Sequence, residues 1–110
     1  MRVIKPRTIH DWGKAHPTAD TTLRHWRKVT EQATWHTIAD ARRSFPHADP
    51  VAVKSGNTVT VFNIGSFRLV TAIIYRSFTV YALRFMTHAE YEKGNAHPPA
   101  TGKGSWKNTL

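Results

Sequence analysis

The sequence predicts an α+β domain in which N-terminal helices pack on one face of a small, mostly antiparallel sheet. Three observations carry this. Apolar residues recur every three or four positions in the first part of the chain and alternate after Pro50. Helices therefore come first and strands last, which argues for α+β rather than alternating α/β. The 110 residues suffice for one domain, and 40% hydrophobic residues allow a modest core.

The elements follow in order. Val3 and Ile4 suit a brief strand. Pro6 suits a helix start, where an N–H would lack a partner anyway. Ile9, Trp12 and Ala15 follow at helical spacing, and Pro17 ends the segment. A second helix begins near Asp20, a good N-cap type. Leu23, Trp26, Thr30 and Ala33 form its apolar stripe, with Arg24, Arg27 and Lys28 off it. Thr37 and Asp40 have capping-box spacing for a short third helix that stops at Phe45–Pro46. Val51–Lys54 and Val59–Asn63 read as strands around a Gly56–Asn57 turn. Phe67–Tyr75 and Thr79–Met86 are longer strands, and Thr87–Lys93 is helical or turn-like. Residues 95–105 carry prolines and glycines without periodicity and read as a flexible loop within a single 1–110 domain.

Turn lengths decide where the arginines lie. A two-residue hairpin at Gly65–Ser66 sets Ile64 opposite Phe67 and Asn63 opposite Arg68. Asn63, Val61 and Arg68 then share a face. A three-residue loop at Arg76–Phe78 pairs Tyr75 with Thr79 and Val70 with Arg84. Arg68 and Arg84 become diagonal neighbours on one face, close enough to grip one phosphate. A two-residue loop would put them on opposite faces. The three-residue version gathers Phe67, Leu69, Ile73, Tyr81, Leu83 and Phe85 for the helices to cover. It leaves Arg68, Val70, Ala72, Ala82 and Arg84 on an open face.

Charge and composition narrow the function. Sixteen Lys+Arg against seven Asp+Glu give a formal net charge of +9, which attracts polyanions. A membrane is the competing polyanion, but no stretch approaches the ~20 apolar residues of a spanning helix. Met1–Ile9 is too polar for a secretory signal, and cysteine is absent, so a cytoplasmic protein is expected. The seven histidines, at 10, 16, 25, 36, 47, 88 and 97, include no His-x-x-x-His pair. No metal is expected, and His16 and His47 read as loop residues. No Gly-rich phosphate loop and no Gly-x-Ser-x-Gly elbow occurs, so no small-molecule cofactor is expected.

Acid–base groups concentrate in Thr87-His88-Ala89-Glu90-Tyr91-Glu92-Lys93. Histidine ordinarily titrates near ~6.5 and exchanges protons at cellular pH. On a helix, His88 and Tyr91 lie on one side. Tyr91 and Lys93 join the chemistry if neighbouring cations lower their pKa values. The structural alternative makes His88 a turn cap and Tyr91 a core ring with a wet hydroxyl. Trp106, near Lys103 and Lys107, either stacks on a base or anchors the tail.

Several segments together resemble one family: Phe45-Pro46-His47-Ala48-Asp49, Val61-Phe62-Asn63-Ile64-Gly65, Phe67-Arg68-Leu69, Tyr81-Ala82-Leu83-Arg84-Phe85, Thr87 through Lys93, and Trp106-Lys107. The chain resembles the HigB toxins within the wider RelE-type superfamily. His16-Pro17, Leu23 through Trp26 and Ala33-Thr34-Trp35 fit its helical half. The resemblance implies a RelE-like toxin fold and ribosome-dependent, metal-independent cleavage of mRNA. It also implies neutralisation by a helix-turn-helix, HigA-like antitoxin. The catalytic positions it implies are Arg68, Arg84, His88 and Tyr91. Lys54 and Lys93 join as RNA contacts, as do Asn63, on the Arg68 face, and Lys107, beside Trp106. Two departures stand out. The turn before Arg68 is short, Gly65-Ser66-Phe67, and lacks a lysine, and residues 95–105 separate the Glu-Tyr segment from Trp-Lys.

The mechanism expected is attack by the RNA's own 2′-hydroxyl. His88 or Tyr91 moves protons while the arginines stabilise charge on the phosphate. Two other functions fit the same sequence. One is a non-catalytic inhibitor that binds RNA or the ribosome, and the other is a gyrase-inhibiting toxin of the same superfold.

Overall fold

Pro6 and Pro17 each open a helix at the position where a missing N–H costs nothing. In the computed structural model these are α1 (Pro6–Ala15) and α2 (Pro17–Gln32), preceded by β1 (Arg2–Ile4). α3 (Ile38–Ser44), β2 (Asp49–Ala52), β3 (Thr58–Ile64), β4 (Phe67–Ile74), β5 (Thr79–Thr87) and α4 (His88–Asn95) follow, and a 3-10 turn spans Trp106–Thr109. The structure describes residues 1–95 and 106–110, with the backbone alone at 93–95 and 108. The loop expected at 95–105 therefore lies, past Asn95 itself, outside the described residues. So does the Lys93 side chain.

α2 starts three residues before Asp20, because Pro17 takes the first helical position. Asp20 serves elsewhere. Its carboxylate pairs with Arg24 at 3.2 Å and sits against Gly13 of α1. A Cβ at Gly13 would collide with that carboxylate, so a larger residue there would displace the Asp20 side chain. Thr37 precedes α3 but makes no side-chain cap. Asp40 instead accepts the His36 N–H at 2.9 Å.

The sheet order is β1-β5-β4-β3-β2, with β1 parallel to β5 and all other pairs antiparallel. The helices cover one face. Leu23 and Trp26 of α2, with Trp35 beyond it, meet Phe62, Ile64, Leu69 and Val80. Phe62 is wholly buried, its ring 5.4 Å from both Trp26 and Phe45 and 6.0 Å from Trp35.

The hairpin at Gly65–Ser66 has the expected register, Ile64 opposite Phe67 and Asn63 opposite Arg68. Gly65 takes φ +59°, a left-handed conformation that glycine adopts without steric cost. The β4–β5 connection differs. It holds four residues, Tyr75–Phe78, so Ile74 rather than Tyr75 faces Thr79. A bulge between Val70 and Thr71 then leaves Leu83 outside the register and restores Val70 opposite Arg84. Two one-residue shifts cancel. Arg68 and Arg84 share a face as expected, but Tyr81 and Leu83 leave the helix-covered face, and Val80 and Ala82 replace them. Tyr81 is exposed, and Leu83 packs on the opposite side.

That opposite side is not open. Val53, Val59, Val61, Val70 and Met86 form a second cluster under Tyr91 of α4 and Trp106 of the 3-10 turn. The two rings stack at 5.5 Å, and the Trp106 Nε1–H donates to the Tyr91 carbonyl at 3.4 Å.

Candidate functional site

β5 runs straight into α4 through a reciprocal cap. The Glu90 N–H donates to Thr87 Oγ1, and the Thr87 N–H donates to Glu90 Oε1, both at 3.2 Å. The His88 N–H also donates to the Ser66 carbonyl at 2.9 Å, which ties the start of α4 to the β3–β4 turn. These bonds bring the acid–base segment to the end of the sheet that carries Asn63 and Arg68.

A cleft of about 560 Å³ opens there. Asn63, Arg68, His88 and Tyr91 line it together with Glu92. Arg42 of α3, His47 of the α3–β2 connection and Asp49 at the start of β2 complete the lining. Sequence reasoning did not connect these three with the chemistry. His47 lies sixteen residues from Asn63, and only the fold makes its Nδ1 accept the Asn63 N–H at 3.3 Å. The one available signal was the Phe45-Pro46-His47-Ala48-Asp49 segment itself.

The lining is electrically mixed. Two guanidiniums, Arg42 and Arg68, stand with two carboxylates, Asp49 and Glu92, and two imidazoles. The +9 of the whole chain therefore does not identify the cleft. Arg68 is braced, its Nη1 donating to the carbonyls of Phe67 at 2.8 Å and Gly65 at 3.1 Å. His88 is exposed and its Nε2 lies 3.4 Å from Glu92 Oε1 one helical turn on. Tyr91 reaches the cleft from a buried ring stacked on Trp106, so its aromatic body belongs to the second core.

Arg84 does not join this lining. It shares the face of Arg68, but its Nη1 donates to the Leu83 carbonyl at 2.8 Å and its Nη2 to Thr109 Oγ1 at 3.4 Å. Those bonds turn the guanidinium toward the C-terminal turn, away from the shared phosphate expected of the pair. Lys54 and Lys107 meet each other instead, through a Lys54 N–H bond to the Lys107 carbonyl at 3.1 Å. The Lys107 ammonium lies 5.8 Å over the Trp106 ring. Trp106 is buried, as the tail-anchor reading requires, rather than free to stack on a base.

His16 sits between α1 and α2, its ring 4.9 Å from Phe67. Among the described residues no three His, Asp or Glu side chains converge as metal ligands would, and no described helix is long and apolar enough to cross a membrane.

Compared with known families, residues 19–94 match the model of HigB_toxin, described as the RelE-like toxic component of a toxin-antitoxin system. The match covers more than half of the chain and takes in every cleft residue named above. No curated protein matches the chain.

Proposed function

The chain belongs to the HigB family of RelE-like toxins, and from that membership we propose that it is an endoribonuclease cutting mRNA on the ribosome. A toxin of such a system has an antitoxin partner. In this reading the partner is a helix-turn-helix, HigA-like protein and the pair acts in the cytoplasm.

The observation that carries the proposal is the meeting of Arg68, His88, Tyr91 and Asn63 around one cleft. A phosphate in that cleft has a cation beside it and an imidazole within the same lining. Glu92 engages His88 at Nε2, which leaves Nδ1 to accept the proton of the RNA 2′-hydroxyl. The 2′-oxygen attacks phosphorus, the bond to the 5′-oxygen breaks, and the leaving oxygen takes a proton from the Tyr91 hydroxyl or from water. The product is a 2′,3′-cyclic phosphate and a free 5′-hydroxyl. Arg68 stabilises the charge that builds on the phosphate, a contribution that is commonly the largest in such reactions. The reaction as written draws on the chain's own residues and on no metal. Arg84, Lys54 and Lys107 contribute outside the reacting centre, along the path of the RNA backbone, and Lys93 is a further RNA contact.

Mapping mRNA 5′ ends after induction tests this. Codon-phased breaks are expected in translated messages, and Arg68→Ala should reduce them by on the order of 100-fold. Growth arrest without breaks would instead indicate an inhibitor that binds RNA or the ribosome. Arrest with a DNA-damage response would indicate a gyrase poison.

A further inference from the structure

The cleft holds two imidazoles, and the structure distinguishes them. His88, on α4, is exposed and engages a carboxylate through Nε2. His47, in the α3–β2 connection, accepts the backbone N–H of Asn63 at Nδ1, 3.3 Å away. A backbone N–H only donates, so the neutral His47 ring keeps its own hydrogen on Nε2.

The turn that carries His47 is braced on both sides. The Ala48 N–H donates to the Phe45 carbonyl at 2.9 Å, and Arg42 Nε donates to the Ala48 carbonyl at 3.0 Å. Phe45 is buried in the main core, and its ring lies 6.3 Å from the His47 ring. The imidazole is thus held at Nδ1, and His47 is among the residues that line the cleft. The charged and titratable groups lining that cleft with it are Arg42, Asp49, Arg68, His88, Tyr91 and Glu92.

We propose that His47 is a phosphate-binding donor of fixed tautomer, presenting Nε2–H to a non-bridging oxygen of the RNA phosphate in the cleft. It is not the general base. A base needs a lone pair on the nitrogen facing the substrate, and the Asn63 bond assigns that nitrogen a hydrogen. Proton transfer then stays with His88, while His47, Arg42 and Arg68 hold the phosphate. A hydrogen bond to an ionised phosphate oxygen is short and about twice as strong as a neutral one.

This inference rests on the nuclease reading above, and the two fail differently. In a ribosome-programmed cleavage assay, His47→Ala should lose roughly tenfold to hundredfold in cleavage efficiency, the scale of one hydrogen bond to a charged group. His47→Gln, whose amide N–H reaches about where Nε2–H does, should recover most of that loss. The pH–rate profile should keep the wild-type shape in both variants. A glutamine variant as inactive as the alanine variant, with one limb of the profile gone, would make His47 a proton-transfer group and overturn the proposal. Full activity in both variants overturns it too. A wild type that cuts nothing overturns the nuclease reading alone, because the donor role has its own measurement. Nitrogen-15 spectra of the wild-type imidazoles, with and without an oligonucleotide carrying a 2′-deoxy scissile position, should show His47 protonated at Nε2 and that nitrogen shifting on binding. A hydrogen on Nδ1, or an Nε2 signal indifferent to the oligonucleotide, sinks the proposal whatever the cleavage assay gives.

Discussion

On its helix-covered face the sheet buries Phe62, Leu69 and Val80 completely beneath α2 and the aromatic residues around it. On the other face Val61, Val70 and Met86 lie under Tyr91 and Trp106, supplied by one short helix and one 3-10 turn. The first face packs large side chains from three helices, and the second packs valines under two stacked rings. That difference leaves room. Where the smaller cover ends, at the Asn63–Arg68 end of the sheet, the chain places its cleft instead of core. Stability and the candidate chemistry are thus divided between the faces, and substitutions can test the division.

The largest effect belongs to the thick face. Trp26→Ala removes a ring that is 1% exposed and touches Phe62, and should cost about 3–5 kcal/mol in denaturant unfolding. A cost below about 1 kcal/mol, within the range of an ordinary surface change, would break the comparison. Arg68→Ala tests the other side. It should lower cleavage by on the order of 100-fold and shift stability by no more than about 0.5 kcal/mol. Arg84→Ala should cost less activity than Arg68→Ala, because its guanidinium is bonded to Leu83 and Thr109 outside the cleft. An Arg84 variant that is the more damaged of the two would return both arginines to one phosphate.

The same division explains what the sequence disclosed. Local features were legible. The Gly65–Ser66 turn, the helix-opening Pro6 and the Leu23–Trp26–Thr30 stripe each depend on neighbours a few residues away, whereas Pro17, read as a helix end, opens α2 instead. The second face was not, because its cover comes from Tyr91 and Trp106, on either side of a segment without periodicity. The β4–β5 bulge also escaped. A single extra residue at Leu83 leaves no mark in a strand whose residues are apolar on both sides, yet it moves Tyr81 and Leu83 across the sheet. The parallel pairing of β1 with β5, Arg2 opposite Thr79, joins the two most distant strands and has no local signature. In the cleft, Arg68, His88 and Tyr91 were marked by strand and helix spacing. Arg42, His47 and Asp49 were not, since the β2–β3 pairing and the His47–Asn63 bond that bring this stretch to the cleft are non-local.

Two smaller effects sharpen the contrast. Thr87→Ala removes half of the reciprocal cap at α4, worth about 1 kcal/mol. It should loosen α4 and lower cleavage together, whereas a thick-face change of equal cost should leave activity per folded molecule unchanged. The smallest effect concerns Tyr75, at the margin of the thick face. Burial raises its phenol above the ordinary 10.0, opposed in part by the Thr60 side chain and supplemented by the smaller effect of the Asp40 carboxylate. A raised acid stabilises the fold fully below the unfolded value and loses that contribution as pH climbs toward the folded one. The native protein should therefore lose stability above about pH 10 through this residue. Unfolding midpoints measured across that range should fall less steeply for Tyr75→Phe than for wild type. Arg68→Ala, on the other face, should leave the slope as it was, and a slope unchanged by Tyr75→Phe would place the alkaline sensitivity outside the thick face.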